Sequence, residues 1–406
     1  MMTEPIELQA WKGRLDTSKQ GPKKNMTNLM LCLRNIRSLG PKLTYNDLTG
    51  NIEWNGREFK DSDYVDIRLA LEADGYEPNA KDVPAAVIRT AEDRTYNPVA
   101  DYLNGLIWDG TPRIGRWLSL IFGAEDTKIN QAFGRLFLIG AAARALQPGC
   151  KMDNMLIIKG EQGIKKDQAC EVLFGDEFIT SSITKLTGDQ TAQALQGVWA
   201  ANLGELEALN TSILMVKNFL SLRRDRFRPT YGKHFVWRPR RMVFIGSTNE
   251  DTFLKDPTGA RRFWPFDAVH VDLDLLRARR DQLWAEAVHE YKAGEQWWID
   301  KGSELDHLAQ DVQRASYKDD AWAERINDFL VSDATRARVC VTLGEIYSAL
   351  YLTTERLDEK VEARVIGHLK HLGWWKHRCL RHGKNVNWWF PPEALESFKK
   401  GRPRGA

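Results

Sequence analysis

Residues 155–168, MLIIKGEQGIKKDQ, restrict the possible folds of this chain more than any other stretch, because they combine a strand, a glycine turn and a helix start. The apolar run predicts a buried strand, and two glycines mark the turn that follows it. This is the setting in which a phosphate-binding loop (P-loop) of the pattern G-x-x-x-x-G-K-[ST] is expected. We therefore predict an α/β fold with a parallel sheet. Its candidate nucleotide-binding residues are Gly160, Gln162, Gly163, Ile164, Lys165, Lys166, Asp167 and Gln168.

The predicted loop departs from this pattern on both sides of its lysine. Gly160 and Lys166 fit, but Lys165 replaces the second glycine and Asp167 replaces the Ser or Thr that binds Mg²⁺. Glycine lets the backbone approach the phosphates closely and adopt torsions that other residues resist. A carboxylate at position 167 opposes phosphate charge, by roughly 4 kcal/mol at about 4 Å and an effective dielectric constant of about 20. The loop alone also fits an ordinary surface turn with two lysines.

Two later apolar strands, predicted at 198–203 and 242–246, deliver polar residues to their carboxyl ends. Asn202 stands where an acid that holds Mg²⁺ is useful, and Glu205 follows as a candidate general base. After the second strand, Asn249 suits the sensing of a γ-phosphate or the orientation of water. Acids that cap the next helix, and an Asn that only ends a strand, are the structural alternatives.

Arginines form two further candidate sites. Arg261 and Arg262 precede another apolar strand, and one of them can act as an arginine finger on a neighbouring subunit's nucleotide, unless both form structural salt bridges. Residues 217–241, which include Arg226 and Arg228, are rich in Lys and Arg, with aromatic residues between them. This mixture suits a groove for single-stranded DNA, where cations neutralise phosphates and rings stack on bases. A solvated basic face or a subunit interface fits the same pattern.

Composition narrows the class of protein. A chain of 406 residues predicts two to four domains, and a net charge of +3 means that any nucleic-acid contact surface must be local. The five cysteines are widely spaced without a CxxC pair, which disfavours a zinc site and disulfides and favours a reducing cytoplasm. No apolar run approaches the ~20 residues of a membrane span, and the polar start is unlike a secretory signal. A primase is disfavoured, since no zinc-ligand cluster or carboxylate trio is visible.

The chain divides into five predicted parts. They are a flexible lead-in (1–25), a small α+β N-terminal region (26–105), a P-loop core (106–270), a helical extension (271–320) and a winged-helix-like domain (321–406). In the last part, three helices and a hairpin are predicted, with Arg364 on the recognition helix and Lys384 on the wing. Winged helices also mediate protein contacts, so DNA binding and protein binding both stay open.

Seven motifs together resemble the virulence-associated E-like (VapE-like) family, replication ATPases of phages and pathogenicity islands that are related to superfamily 3 helicases of the AAA+ class. The likeness covers roughly residues 28–320. Its motifs are WDGTPR (108–113), PGCKMD (148–153), GEQGI (160–164), GELEAL (204–209), DRFRPTYG (225–232), STNEDTFLKDPTGARRFWP (247–265) and RDQLWAEAVHEYKAGEQWW (280–298). The resemblance implies an AAA+-like P-loop core and an ATP-fuelled hexameric ring, without a membrane partner, that moves on single-stranded DNA in the cytoplasm of a bacterial host.

The resemblance also implies roles for individual residues. Lys166 would bind the β- and γ-phosphates of ATP, whose Mg²⁺ is the second cofactor, and Glu205 would be the second Walker B acid. Asn249 would be the sensor, and Arg261 or Arg262 the finger. Lys233 and His234 would face the DNA in the central channel. Origin duplex DNA is a further expected partner.

Three departures from the family pattern concern residues that ATP hydrolysis needs. Family members carry Gly-Lys-Ser/Thr in the loop and an acid at the position of Asn202. This chain has Lys165 in place of the glycine and Asp167 in place of the Ser or Thr, while Lys166 matches the pattern. We therefore expect a replication protein of the helicase lineage whose ATP hydrolysis is impaired. The alternative is a non-catalytic DNA-binding and assembly protein on the same fold.

Overall fold

The computed structural model describes residues 10–183, 186, 189–204, 213–228, 235–250, 260–316, 322–332, 335, 340–350, 359–381 and 384–394. Three residues singled out from the sequence, Glu205, Lys233 and His234, lie outside this described part. Within it, every helix is too short or too polar to cross a membrane.

The N-terminal region is a small α+β unit. Its elements are β1 (Thr17–Ser18), β2 (Gly21–Pro22), α1 (Met26–Asn35), β3 (Leu43–Asn46), β4 (Asn51–Trp54), β5 (Arg57–Glu58), α2 (Asp63–Ala73), α3 (Val83–Glu92) and β6 (Thr95–Tyr96). The four later strands form a sheet in the order β5-β4-β3-β6, and the helices cover it with side chains such as Leu33, Ile67 and Val87. Gly50 closes the β3–β4 turn at φ +77°, as expected for a glycine in a hairpin.

Residues 10–25 differ from the predicted flexible lead-in. They contain a 3₁₀ turn at Lys12–Arg14 and the short β1–β2 hairpin. Trp11 and Leu15 pack against the N-terminal core, and Lys23 forms an ion pair with Asp16 at 2.9 Å. These elements lie within the segment predicted as a lead-in, in which two apolar residues, Trp11 and Leu15, stand among polar ones.

The central part of the chain surrounds a five-stranded parallel sheet. Its elements are α4 (Pro98–Gly105), α5 (Trp117–Phe122), α6 (Lys128–Leu146), β7 (Met155–Lys159), α7 (Lys166–Phe174), β8 (Ile179–Thr180), α8 (Asp189–Ala194), β9 (Ala200–Leu203), α9 (Ile213–Leu220), β10 (Arg224–Phe227), β11 (Val236–Pro239), β12 (Val243–Thr248), β13 (Phe263–Asp267), α10 (Leu273–Lys292) and α11 (Glu304–Ala315). The sheet order is β13-β7-β12-β9-β8, and each neighbouring pair is parallel. β10 and β11 form a separate antiparallel hairpin.

Both faces of the central sheet are covered, which explains the continuous apolar runs in its strands. Every residue of β7 is buried, including Lys159 at the strand end. On one face, Trp199 lies against Trp284 of α10 with ring centroids 4.3 Å apart, and the Trp284 indole donates to the carbonyl of Leu173 at 2.8 Å. The predicted helical extension thus packs directly on the core that holds the loop helix α7.

Among its described residues, the C-terminal part contains helices followed by a hairpin, in the predicted order. The helices are α12 (Ala323–Val331), Leu343–Ala349 and Glu359–His371, and the hairpin pairs β14 (Trp375–Arg381) with β15 (Lys384–Phe390). A bridge between Val341 and Trp389 ties the hairpin to the helices, whose core includes Ile346, Val365 and Leu369.

Candidate functional site

Lys166 and Asn249 meet at the carboxyl-terminal edge of the central sheet. β7 and β12 are parallel neighbours whose last residues, Lys159 and Thr248, lie opposite each other. The Lys166 ammonium group donates to Asn249 Oδ1 at 2.6 Å, to the Thr248 carbonyl at 3.1 Å and to the Gly160 carbonyl at 2.5 Å. Lys166 at the start of α7 and Asn249 directly after β12 are therefore in direct contact, and Lys166 is only 9% exposed.

The loop between β7 and α7 keeps a glycine-like shape where it has no glycine. Lys165, directly before the helix, adopts φ +71° and ψ +33°, a left-handed conformation. Among the described residues, Asn55 is the other non-glycine with positive φ, and Asn tolerates this region much better than Lys. This conformation costs an L-residue about 1–2 kcal/mol. Such strain persists where the surroundings demand one backbone shape, as at ligand-binding loops.

Gly160 has a different reason to be glycine. A Cβ at this position would lie 2.4 Å from the carbonyl oxygen of Ala268, which follows β13. The Gly160 amide in turn donates to the Thr248 carbonyl at 3.2 Å, so the start of the loop is held between its two neighbouring strands. Among the other predicted loop residues, Gln162, Gly163 and Gln168 are exposed and the Ile164 side chain packs on the core.

The start of α7 is suited to an anion. The first amide groups of a helix lack partners within the helix and carry partial positive charge, so phosphate groups bind there readily. Lys166 is the first residue of α7, and no side chain caps the helix start. The backbone and the lysine thus offer a favourable position for an anion.

Asp167 and Asn202, the two altered positions that concern Mg²⁺, contact each other. Asn202 Nδ2 donates to Asp167 Oδ1 at 2.7 Å. Asn202 lies in β9 opposite Ile245 of β12 and is 1% exposed, whereas Asp167 is exposed in the first turn of α7. Within the described part of the chain, Asn202 Oδ1 is buried and has no hydrogen-bond partner. The sequence marks each residue separately, and their pairing depends on the strand order of the sheet.

A buried thiol lies on the same helix as Asp167. Burial, and to a smaller extent the charge of Asp167, raises the pKa of Cys170, so this thiol on α7 stays protonated at neutral pH. The described residues contain no group of three or more His, Cys, Asp and Glu side chains arranged for a metal ion. A cation at this edge would therefore need oxygen atoms from a bound ligand as well.

Arg261 and Arg262 lie at the opposite edge of the sheet from Lys166. They directly precede β13, whose first residue, Phe263, pairs with the first residue of β7. Strands of five residues separate the two edges by about 16 Å at the usual rise per residue. Arg262 is held within the chain, since its Nε donates to Ser221 Oγ at 3.0 Å and lies 3.7 Å from Asp153 Oδ2. Arg261 is exposed.

The β10–β11 hairpin separates exposed arginines from buried ones. Residues of β10 alternate between exposed and buried, so Arg224 and Arg226 face outward while Asp225 faces the core. The guanidinium groups of Arg224 and Arg226 lie 4.3 Å and 5.8 Å from the ring of Trp237, which is 55% exposed. Asp225 is paired with buried Arg240 at 2.7 Å.

Only part of the basic stretch is therefore exposed. Lys217 on α9 and Arg240, which follows β11 and pairs with Asp225, are buried, which corrects the interpretation of 217–241 as one basic groove. Arg228 is exposed beyond the end of β10. Arg364 lies in the helix Glu359–His371, and Lys384 begins β15.

The motif at 108–113 packs against α10 and does not contribute to the loop between β7 and α7. The Glu286 carboxylate accepts the backbone amides of Arg113 at 2.5 Å and Ile114 at 3.0 Å, and burial raises its pKa. The Trp108 ring lies 4.6 Å from that of His289. A recognisable motif here serves to join two segments of the core.

Comparisons with known proteins give one family and a set of distant structural neighbours. A family model described as the virulence-associated protein E-like domain matches residues 103–318. No curated protein matches. The chain is similar to the apo structure of the NrS-1 C-terminal region (305–718), with 13% identity and a TM-score of 0.48 over 86% of this chain and 95% of that one. A second, A-form apo structure of the same NrS-1 region gives 13% identity and a TM-score of 0.47 over 91% and 100%.

Proposed function

Because the chain belongs to the virulence-associated protein E-like family, whose model spans residues 103–318, we propose that it is a DNA replication protein of a phage or other mobile element. In this proposal an AAA+-like P-loop core binds ATP with Mg²⁺, copies of the chain form a ring, and the ring holds single-stranded DNA. Hydrolysis is impaired relative to an unaltered P-loop ATPase.

The meeting of Lys166 with Asn249 is the observation that carries this proposal. Ligands of open parallel sheets bind beyond the carboxyl ends of the strands, and this pair lies just beyond the ends of the adjacent strands β7 and β12. A lysine that grips the β- and γ-phosphates and a polar side chain near the γ-phosphate are the parts that phosphoryl transfer needs at this place. The strained Lys165 and the uncapped start of α7 support the same assignment.

Impaired hydrolysis follows from what the altered residues do. The amide of Asn202 carries no charge, so it stabilises a cation less than a carboxylate at the strand end does. Asp167 adds negative charge close to the phosphates, which weakens their binding unless a cation lies between them. Lys165 keeps the loop shape only at the cost of strain. Glu205 is proposed as the general base.

The ring and DNA contacts are proposed from the other candidate residues. Arg261 lies too far from Lys166 of its own subunit, so we assign it to the nucleotide of a neighbouring subunit, while Arg262 serves structure. Arg226 and Arg228 neutralise DNA phosphates, and Lys233 and His234 are expected at the tip of the same hairpin. A winged-helix contact to origin duplex is assigned to Arg364 and Lys384.

Reversion of the altered positions tests the proposal. We compare the unmodified chain with the triple variant Lys165→Gly, Asp167→Ser, Asn202→Glu in assays of nucleotide binding and of hydrolysis with single-stranded DNA. Hydrolysis should rise sharply in the triple variant and disappear again when Lys166→Ala is added. An unchanged rate in the folded triple variant contradicts the assignment of these motifs.

A non-catalytic DNA-binding and assembly protein is the second candidate function. The direct hydrogen bond between Asp167 and Asn202 favours it, because it joins the two altered residues to each other without a ligand. This function predicts salt-dependent DNA binding and oligomerisation that are equal with and without nucleotide. Hydrolysis by the unmodified chain at ordinary helicase rates excludes it.

A further inference from the structure

The contact between Asp167 and Asn202 joins the two positions at which the expected Mg²⁺ ligands are missing. The usual arrangement places a neutral hydroxyl at the start of the loop helix and a carboxylate at the end of a neighbouring strand. Here the carboxylate is on the helix, at Asp167, and a neutral amide is on the strand, at Asn202. Their separation of 2.7 Å shows that the two positions face the same point in space.

The exchange preserves the local charge and the number of oxygen-bearing side chains. A hydroxyl with a carboxylate and an amide with a carboxylate each carry one negative charge and offer oxygen ligands. Mg²⁺ in nucleotide sites is usually bound through one or two carboxylates together with phosphate oxygens and several waters. One carboxylate next to the phosphate-binding loop is therefore enough on the protein side.

We propose that Asp167 and Asn202 form a transposed divalent-cation site, in which Asp167 holds the cation that accompanies the nucleotide and Asn202 positions it. This inference rests on the proposed nucleotide function. Asn202 Nδ2 fixes one carboxylate oxygen of Asp167, while the buried Asn202 Oδ1, which has no partner among the described residues, is available to a cation or to water bound to it. A buried acceptor without a partner is unusual enough to require such an explanation.

Asp167 couples the binding of the cation to the binding of the nucleotide. Without a cation, the exposed carboxylate of Asp167 repels the phosphates that the neighbouring Lys166 binds. With a cation, the same carboxylate attracts the complex. Nucleotide affinity in this chain should therefore depend on Mg²⁺ through Asp167.

Nucleotide binding with and without metal tests the site independently of hydrolysis. A fluorescent ATP analogue is titrated into the full chain in Mg²⁺ and in EDTA, and the ratio of the two Kd values is compared between variants. The unmodified chain should bind more tightly in Mg²⁺ by more than about tenfold, because even partners that only orient metal ligands change metal affinity by about 10- to 100-fold. Asp167→Asn should bring the ratio close to one, with unchanged or tighter binding in EDTA.

Two further variants complete the test. Asp176→Asn removes an exposed carboxylate just beyond α7 and should leave the ratio unchanged. Asp167→Ser combined with Asn202→Glu returns the carboxylate to the strand and should restore the difference between the Kd values in Mg²⁺ and in EDTA. If circular dichroism shows that Asp167→Asn does not fold, this double variant decides the question. A ratio that stays high in Asp167→Asn, or a ratio of one in the unmodified chain, overturns the site while the nucleotide function stands. Absence of binding in both buffers overturns both.

Discussion

The ammonium nitrogen of Lys166 lies 2.6 Å from Oδ1 of Asn249, although 83 positions separate the two residues in the chain. The parallel pairing of β7 with β12 brings them together, because both strands end at the same edge of the sheet. The same nitrogen also donates to the carbonyl oxygens of Gly160 and Thr248. A triphosphate that enters the loop must therefore replace some of these hydrogen bonds with its own.

Replacing Lys166 with Ala should weaken nucleotide binding and leave DNA binding intact. A charge-assisted hydrogen bond contributes about 1.5–3 kcal/mol, which corresponds to about 10- to 100-fold in affinity. Titration of a fluorescent ATP analogue measures the loss. Lys128→Ala is the matched control, since Lys128 lies on the surface in an ion pair with Glu304. Equal affinity of Lys166→Ala and the control contradicts the assignment of the loop.

Replacing Lys165 with Gly should stabilise the fold. Glycine removes about 1–2 kcal/mol of left-handed strain, offset by about 0.4–1 kcal/mol of extra entropy in the unfolded chain. Urea unfolding should therefore show a gain of up to about 1.5 kcal/mol. Lys128→Gly, at the first position of α6 with ordinary helical torsions, should instead destabilise the protein by about 0.5–1 kcal/mol. A loss of stability in Lys165→Gly contradicts the strain at this position.

The strands around the site could be predicted from the sequence because their environment leaves a local pattern. Both faces of the sheet are covered, so β7 and β12 consist of consecutive buried residues, and Gly160 marks the turn between β7 and α7. Polar residues at strand ends, such as Asn249, then indicate which edge can bind a ligand. The contact between Lys166 and Asn249 agrees with this reasoning, while their roles stay predictions.

Contacts that depend on strand order could not be predicted in the same way. The order β13-β7-β12-β9-β8 decides that Asn202 faces Asp167, and nothing in either local segment records it. The inward turn of Arg240 also depends on its pairing with Asp225. A basic composition looks the same whether an arginine is in solvent or in the core.

Asp63 should give the N-terminal region a stability that is lost in acid. Its buried carboxylate accepts hydrogen bonds from Arg57 Nη1 at 2.8 Å, from Arg57 Nη2 at 2.7 Å and from the Lys60 amide at 2.7 Å. The hydrogen bonds from Arg57 lower its pKa below the ordinary value. Because the folded state lowers this pKa, the contribution is complete above about pH 4, the ordinary pKa of Asp, and is lost as the pH falls through the lower folded value.

Asp63→Asn tests this contribution. At pH 7 the variant should unfold at a lower urea concentration than the unmodified chain, and the two should converge in acid once Asp63 is protonated. Asp66→Asn, an exposed acid in the first turn of the same helix, should show little difference at either pH. A constant gap between Asp63→Asn and the unmodified chain across the pH range contradicts the linkage.

Arg240→Met should destabilise the protein by about 3–5 kcal/mol, because it leaves the Asp225 carboxylate buried without its partner. Arg240 Nε and Nη2 both donate to Asp225, at 2.9 Å and 2.7 Å for the shortest contacts. Adding Asp225→Leu should recover most of the loss, since a buried ion pair is often replaceable by apolar residues. Arg116→Met, in the exposed pair with Asp126, should cost less than about 1 kcal/mol in the same urea titration.

The exposed face of the β10–β11 hairpin should bind single-stranded DNA through two separable effects. Arg226→Ala removes a charge that neutralises a phosphate, so the slope of log affinity against log salt should fall by about 0.7. Trp237→Ala removes a ring on which a base stacks, so affinity should fall by about 1–3 kcal/mol with the slope unchanged. Fluorescence anisotropy with a labelled oligonucleotide at several salt concentrations measures both. Arg277→Ala on α10 is the control for the loss of one exposed charge. If it lowers the salt slope as much as Arg226→Ala does, the DNA-binding surface lies elsewhere.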